Sequence, residues 1–286
     1  MSEAADNSKA SPVIRVVGLT KRFGDRTVLE GVDLEIYPGE TMIIMGGSGT
    51  GKSTLLNMII GSDFPDEGYV ELLGRNLNEL SEAELNALRL QFGILFQSGA
   101  LFSSMTVGEN VALPLREHTD LDEETIDIVV KIKLELVGLR EAEDLMPAEL
   151  SGGMRKRAGL ARATALDPKI LFYDEPSAGL DPVTSAEIDQ LITDLSRKLG
   201  VTSVVVTHEM DSAFRIADRM AMLDAGRIIK VGPRSEFEAL RDGPPTGDER
   251  LDLIRQFLRG DSEGPITARR LSCGYERDIL RAAGGN

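Results

Sequence analysis

Residues 46–53 read Gly-Gly-Ser-Gly-Thr-Gly-Lys-Ser, a complete match to the pattern G-x-x-x-x-G-K-[ST]. Glycines at these places let backbone N–H groups turn inward around phosphate oxygens, where side chains would block the approach. A helix starting near Lys52 would point the positive end of its dipole at the same phosphates. The pattern predicts that Lys52 reaches the β- and γ-phosphates of a nucleoside triphosphate and that Ser53 ligates Mg²⁺. A second element, Ile-Leu-Phe-Tyr-Asp-Glu at 170–175, is an apolar strand that delivers acids at its end. Asp174 is then the carboxylate of the metal shell. Glu175, one residue on, is placed to take a proton from an attacking water or to orient it.

Elements that could hold these residues are legible around them. Residues 13–46 are rich in branched side chains and are divided by turns at Gly24-Asp25 and Pro38-Gly39, which predicts strands. A helix over 53–60 follows the glycine loop, and 68–73 is a further strand. From about 79 to 165 the pattern becomes helical: Ser81 with Glu84 three residues on has capping-box spacing, and 122–138 is amphipathic. Strands return at 170–173 and 204–206, separated by a helix over 185–199. A strand pair at 219–224 and 227–231 turns at Ala225-Gly226, and 249–258 is a short helix after the linker Gly243-Pro244-Pro245. Strands alternating with helices predict an α/β fold with a parallel, doubly wound sheet and an inserted helical subdomain. The expected division is a disordered leader over 1–12, a nucleotide-binding domain over 13–242 with its helical subdomain at about 79–165, and a C-terminal helix and tail over 243–286.

Composition narrows the function. A net charge of -15 on 286 residues argues against nucleic acid as a partner, which would need a basic surface. No run approaches the roughly 18 uninterrupted apolar residues of a membrane helix. The single cysteine, Cys273, excludes an internal disulfide and fits a reducing compartment.

Further motifs carry a resemblance. Leu150-Ser151-Gly152-Gly153-Met154-Arg155-Lys156-Arg157 resembles the signature of ABC proteins, Ser177-Ala178-Gly179-Leu180-Asp181 resembles their D-loop, and Gln97 and His208 stand where the family has its Q-loop glutamine and switch histidine. The resemblance implies a P-loop ABC ATPase fold with a parallel core sheet, an antiparallel β subdomain and an inserted helical subdomain. It also implies that the signature of one copy closes over ATP bound to another, so that two sites form in a closed homodimer. By that resemblance ATP is held by Gly46, Gly47, Ser48, Gly49, Thr50, Gly51, Lys52, Ser53 and Thr54, by Phe23 stacking on adenine, and by Ser151, Gly152 and Gly153. Mg²⁺ is held by Ser53, Gln97 and Asp174, and catalysis falls to Glu175, His208 and Gln97.

The stretches at 99–119, 173–185 and 254–266 are similar to the lipid-transport ATPases of the Mla type. That similarity implies a peripheral ATPase on the cytoplasmic side of a bacterial inner membrane, paired with an integral-membrane permease and an MCE-domain lipid-binding protein. It also allows for a small STAS-domain protein on the helical subdomain and for a tail that reaches the dimer mate. The alternatives are another ABC importer or exporter, or a soluble ABC ATPase for iron–sulfur cluster assembly. Leu101, Phe102, Met105 and Val107, apolar in a loop-like stretch, could form a groove for an incoming permease helix or pack inside. Arg155-Lys156-Arg157 opposes the helix dipole, so a salt-bridged or solvated face is expected, with Glu149 or a partner's nucleotide compensating. His118 reads as plain surface, and Arg269 and Arg270 as a weak lipid contact at most.

Overall fold

A computed structural model describes residues 11–268; the leader expected over 1–12 lies almost wholly outside them, as do Arg269, Arg270 and Cys273. The chain opens with β1 (Ile14–Phe23), β2 (Arg26–Ile36) and β3 (Thr41–Met45), then α1 (Lys52–Ile59), β4 (Glu67–Leu72), β5 (Arg75–Asn76), α2 (Glu82–Arg89) and β6 (Phe92–Leu95). Three helices follow, α3 (Val107–His118), α4 (Glu123–Leu136) and α5 (Gly152–Ala163). Then come β7 (Ile170–Asp174), α6 (Pro182–Leu199), β8 (Thr202–Thr207), α7 (Met210–Ile216), β9 (Arg219–Asp224) and β10 (Arg227–Pro233), and last α8 (Arg234–Asp242) and α9 (Glu249–Arg259).

Among the described residues the strands form two sheets, one in the order β2-β1-β4-β5 and one in the order β10-β9-β3-β8-β7-β6. The first is antiparallel. In the second, β9, β3, β8, β7 and β6 are parallel neighbours. β3 and β8 are buried at every position and β7 at all but Asp174, as expected of parallel strands covered on both faces. One apolar cluster draws on both sheets, on α1 through Leu55, Leu56, Met58 and Ile59, and on α2 through Leu85 and Leu88.

Helix starts follow their sequence signals. Ser81 and Glu84 close a capping box on α2, Asp122 caps α4, and Asp181 caps α6 ahead of Pro182. Two departures concern the stretch expected to be helical from 79 to 165. It contains β6, which completes the large sheet, and α2 belongs to the core between the sheets, so the helical layer is α3, α4 and α5. The loop-like stretch holding Leu101, Phe102 and Met105 is indeed outside any helix, and α3 begins at its last residue, Val107, capped by a Thr106–Glu109 box and carrying Pro114 inside it.

The described residues divide into two compact units, one up to residue 231 and one from residue 232. In the second, α8 pairs with α9. Its buried Gln256 accepts from Ile266 N at 2.7 Å and donates to Asp261 O and Thr267 Oγ1, which fixes the chain after α9.

Candidate functional site

The glycine loop bridges β3 and α1, and its backbone is shaped by contacts that only glycine allows. A Cβ on Gly46 would lie 2.2 Å from the carbonyl oxygen of Leu223. Gly51 caps α1 at φ 106°, and a Cβ there would meet Leu29 at 2.8 Å. Thr50 Oγ1 donates to Gly47 O at 2.9 Å. Lys52 is buried, and its ammonium donates to the carbonyls of Gly46 at 2.8 Å and Gly47 at 2.9 Å. Burial lowers its pKa, against the opposing pull of Glu175 and Asp174. Ser48, Gly49 and Ser53 are exposed on the rim, with Thr54 half-buried.

Phe23 ends β1 and stands 53% exposed, so it is not a core residue. With Arg26, Val28, Gly51, Ser53 and Thr54 it lines a cleft of about 300 Å³ beside the loop. The Lys21 ammonium lies 5.3 Å from its ring centroid. A flat aromatic at one end and a cradle of N–H groups at the other suit a nucleotide's base and phosphates.

The acids and the histidine arrive from neighbouring strands. β7 and β8 run in parallel with Asp174 opposite Val206, so the residues just past both strand ends fall together. His208 Nδ1 lies 2.8 Å from Glu175 Oε1, and His208 N donates to Oε2 at 3.4 Å. Glu175 is held at φ 49°, a left-handed conformation that costs a non-glycine residue roughly 1–3 kcal/mol. Its N–H is fixed by Val206 O at 2.9 Å. Strain of this kind persists where the surroundings over-determine it, and here it aims the carboxylate at the strand ends. Asp174 has a buried Oδ1 with no hydrogen-bond partner among the described residues. Burial raises its pKa first and the charge of Glu175 second, with Lys52 opposing. A desolvated carboxylate oxygen that lacks a donor is matched to a cation.

The structure thus brings the 46–54 loop, Asp174, Glu175 and His208 to the carboxyl ends of β3, β7 and β8. Gln97 is exposed on the loop after β6, one strand further along, where Leu95 pairs with Tyr173. Ser151, Gly152 and Gly153 do not join the cleft; they open α5. Ser151 is the exposed N-cap, accepting from Met154 N at 3.2 Å. A Cβ on Gly153 would meet Thr184 Cγ2 at 2.5 Å, so α5 rests directly on the start of α6. Gly153→Ala is therefore expected to lower stability by about 1–3 kcal/mol through overpacking, read as a lower unfolding midpoint in urea.

The basic run at 155–157 gives the expected salt-bridged or solvated face at Arg157 and Arg155 and departs from it at Lys156. Glu149 does not compensate it; its carboxylate accepts from Met146 N. Arg157 pairs with Glu187 at 2.7 Å and Arg155 donates to Leu150 O, but Lys156 is 4% exposed and turns inward, because α5 buries that face against the loop after β7. Sequence reasoning missed this role because helical spacing does not say what a helix packs against.

The apolar stretch after Gln97 divides. Val107 is buried at the start of α3, while Phe102 is 51% exposed, with the Arg162 guanidinium 5.9 Å from its ring. A groove of about 310 Å³ lies nearby, lined by Leu90, Phe96, Pro114, His118, Arg89 and Arg162. His118 therefore stands on a groove wall. Arg162 donates to the carbonyls of Gly99 and Ala100, and burial lowers its pKa. Among the described residues no helix is long and apolar enough to cross a membrane.

Comparison with known proteins places this geometry. The family model described as ABC transporter matches residues 29–178. The chain is 47% identical over 253 residues to the probable ribonucleotide transport ATP-binding protein mkl of Mycobacterium leprae, covering 88% of this chain and 70% of that one. It is 43% identical over 267 residues to the intermembrane phospholipid transport system ATP-binding protein MlaF of Escherichia coli K12, covering 93% and 95%. Among solved structures it is similar to cbiO1 of Clostridium perfringens, part of an ABC transporter complex, with a TM-score of 0.75 and 31% identity over 80% of this chain and 91% of that one. The dimeric ATP-binding cassette MJ0796, solved in a post-hydrolysis state with ADP and Pi, gives a TM-score of 0.71 and 34% identity over 77% and 98%.

Proposed function

Because the chain belongs to the ABC transporter family as an ATP-hydrolysing, ATP-binding subunit, we propose that it powers phospholipid transport between the inner and outer membranes of a bacterium. It does so as a homodimer, peripheral to the cytoplasmic face of the inner membrane, beneath a permease that works with an MCE-domain lipid-binding protein. A small STAS-domain protein on the helical layer is compatible with this reading. The observation that carries it is the end-to-end similarity to MlaF, 95% of that chain at 43% identity. The groove supports a permease contact: exposed Phe96 and Leu90 offer apolar area, and Arg89 and Arg162 offer cations to an incoming helix.

In this reading Phe23 stacks on adenine, the 46–51 backbone wraps the phosphates, and Lys52 leaves its two loop carbonyls to donate to the β- and γ-oxygens. Ser53, Asp174 and Gln97 would hold Mg²⁺, and the unpartnered Asp174 Oδ1 fits that charge. When bound, the ion neutralises charge developing on the phosphates. Glu175 takes the proton of the attacking water, and His208, 2.8 Å away, holds its carboxylate in place. Ser151 and Gly153 of a second copy complete the phosphate cage with the N-terminus of α5. Ser151→Arg is expected to leave ATP affinity of the isolated subunit within about twofold while abolishing ATP-driven dimerisation, seen by light scattering. An unchanged dimer in that variant would remove the signature from the site.

The 47% identity to mkl favours a second reading, in which the cargo is a ribonucleotide. Solubilising native membranes in mild detergent and analysing what co-purifies decides between them. A permease with an MCE-domain protein and bound phospholipid supports the first reading, and a nucleotide-loaded permease the second. Only soluble partners, such as an iron–sulfur assembly system, would overturn both.

A further inference from the structure

Lys156 lies one turn beyond Gly153 in α5 and is 4% exposed. Its ammonium donates to three backbone carbonyls, those of Glu175 at 3.2 Å, Pro176 and Ala178 at 2.8 Å. An ammonium has three N–H donors, so this set saturates it. Burying a cation among carbonyls is unfavourable compared with an apolar side chain of the same length. Burial lowers its pKa, and only the longer-range charges of Glu209 and Glu175 oppose that. Methionine could fill much of the same space but would take the donor away from the three carbonyls. What the charge adds is direction: it gathers the carbonyls of a strained turn that begins at Glu175 with φ 49°.

The same turn is held from its other side. Ser177 Oγ donates to Ser212 Oγ at 3.3 Å, and Ser212, near the start of α7, donates to the buried Asp189 of α6. The 175–178 segment therefore sits between an anchor on α5 and an anchor beside the His208 strand end, and the α5 anchor is the one that touches Glu175 itself.

We propose that Lys156 is a positioning residue for ATP hydrolysis, tying the Glu175 backbone to α5. Engagement of Ser151 and Gly153 by nucleotide on a second copy is thereby passed to the Glu175 carboxylate of the same chain. The proposal rests on the roles given above to Ser151, Gly153 and Glu175. It differs from a packing role in what it predicts for turnover compared with binding.

The test uses the full chain carrying Lys156→Met, which keeps the unbranched stem and removes the ammonium, and Lys156→Gln, which restores two N–H donors. ATP turnover, KM, ATP-driven dimerisation and thermal unfolding are measured for each. Lys156→Met is expected to lower kcat at least tenfold, with KM within about twofold of wild type and ATP-driven dimerisation not weakened, and Lys156→Gln to recover part of the loss. Wild-type kcat in Lys156→Met overturns the proposal. So does a loss of kcat that tracks loss of ATP affinity and of thermal stability in both variants, since that is the signature of packing. Glu175→Gln and Ser151→Arg run alongside: if neither alters turnover or dimerisation, the parent reading fails, whatever Lys156 does.

Discussion

Glu175→Gln is expected to cut ATP turnover by roughly 10³-fold while leaving ATP binding intact, because it removes a general base and little else. That loss corresponds to ~4 kcal/mol of barrier. Glutamine keeps the length and the planar head of the side chain. Its carbonyl can still meet His208, now 2.8 Å from Glu175 Oε1, so the loop geometry survives. What goes is the capacity to accept a proton from water. With hydrolysis stalled, the closed dimer should accumulate in Mg²⁺-ATP and be visible by light scattering at twice the subunit mass. The left-handed φ of 49° at position 175 is equally strained for either residue, so unfolding should move little. Normal hydrolysis in this variant would remove Glu175 from the chemistry and leave the His208 contact as a structural pair.

Lys52→Ala is expected to weaken ATP binding by about a hundredfold or more. A charge-assisted bond to phosphate contributes about 1.5–3 kcal/mol, and the ammonium is placed to make more than one. The ammonium is buried within its own loop, bonded to Gly46 O and Gly47 O, so the loop already holds the charge where phosphate oxygens would come. Gly47 O keeps Thr50 Oγ1 as a donor after the substitution, and removing a desolvated cation relieves the burial that lowers its pKa. Stability should therefore change by no more than about 1 kcal/mol. Calorimetric titration with ATP and a urea unfolding curve separate the two effects. Tight ATP binding by a folded Lys52→Ala protein would mean that the glycine loop's backbone alone carries the phosphates.

Features that depend on a few adjacent residues were legible along the chain. The glycine loop, the capping boxes and the apolar runs of β3, β7 and β8 all declare themselves through local backbone and burial demands. The exceptions are informative. Thr106 and Glu109 form the same box as Ser81 and Glu84 and start α3 directly after the loop-like residues, although Pro114 lies within the helix. The proline is tolerated there because helix packing, through buried Val107, Val111 and Leu115, outweighs one lost hydrogen bond. β6 has only four residues, two of them buried, and periodicity cannot separate so short a run from the end of a helix.

By itself the sequence determined which residues could bind phosphate, hold a cation or accept a proton, because each of those capacities belongs to a side chain and its near neighbours. Tertiary structure decided which of them meet. The order β3-β8-β7-β6 sets His208 against Glu175, leaves Gln97 exposed one strand away, and brings the 46–54 loop to the same sheet edge. It also turned Lys156 from a member of a basic run into a buried anchor for the Glu175 backbone. The Lys156–Glu175 and His208–Glu175 contacts alone join residues 19 and 33 positions apart in the chain, and only the packing of strands and helices pays the entropy of closing such loops.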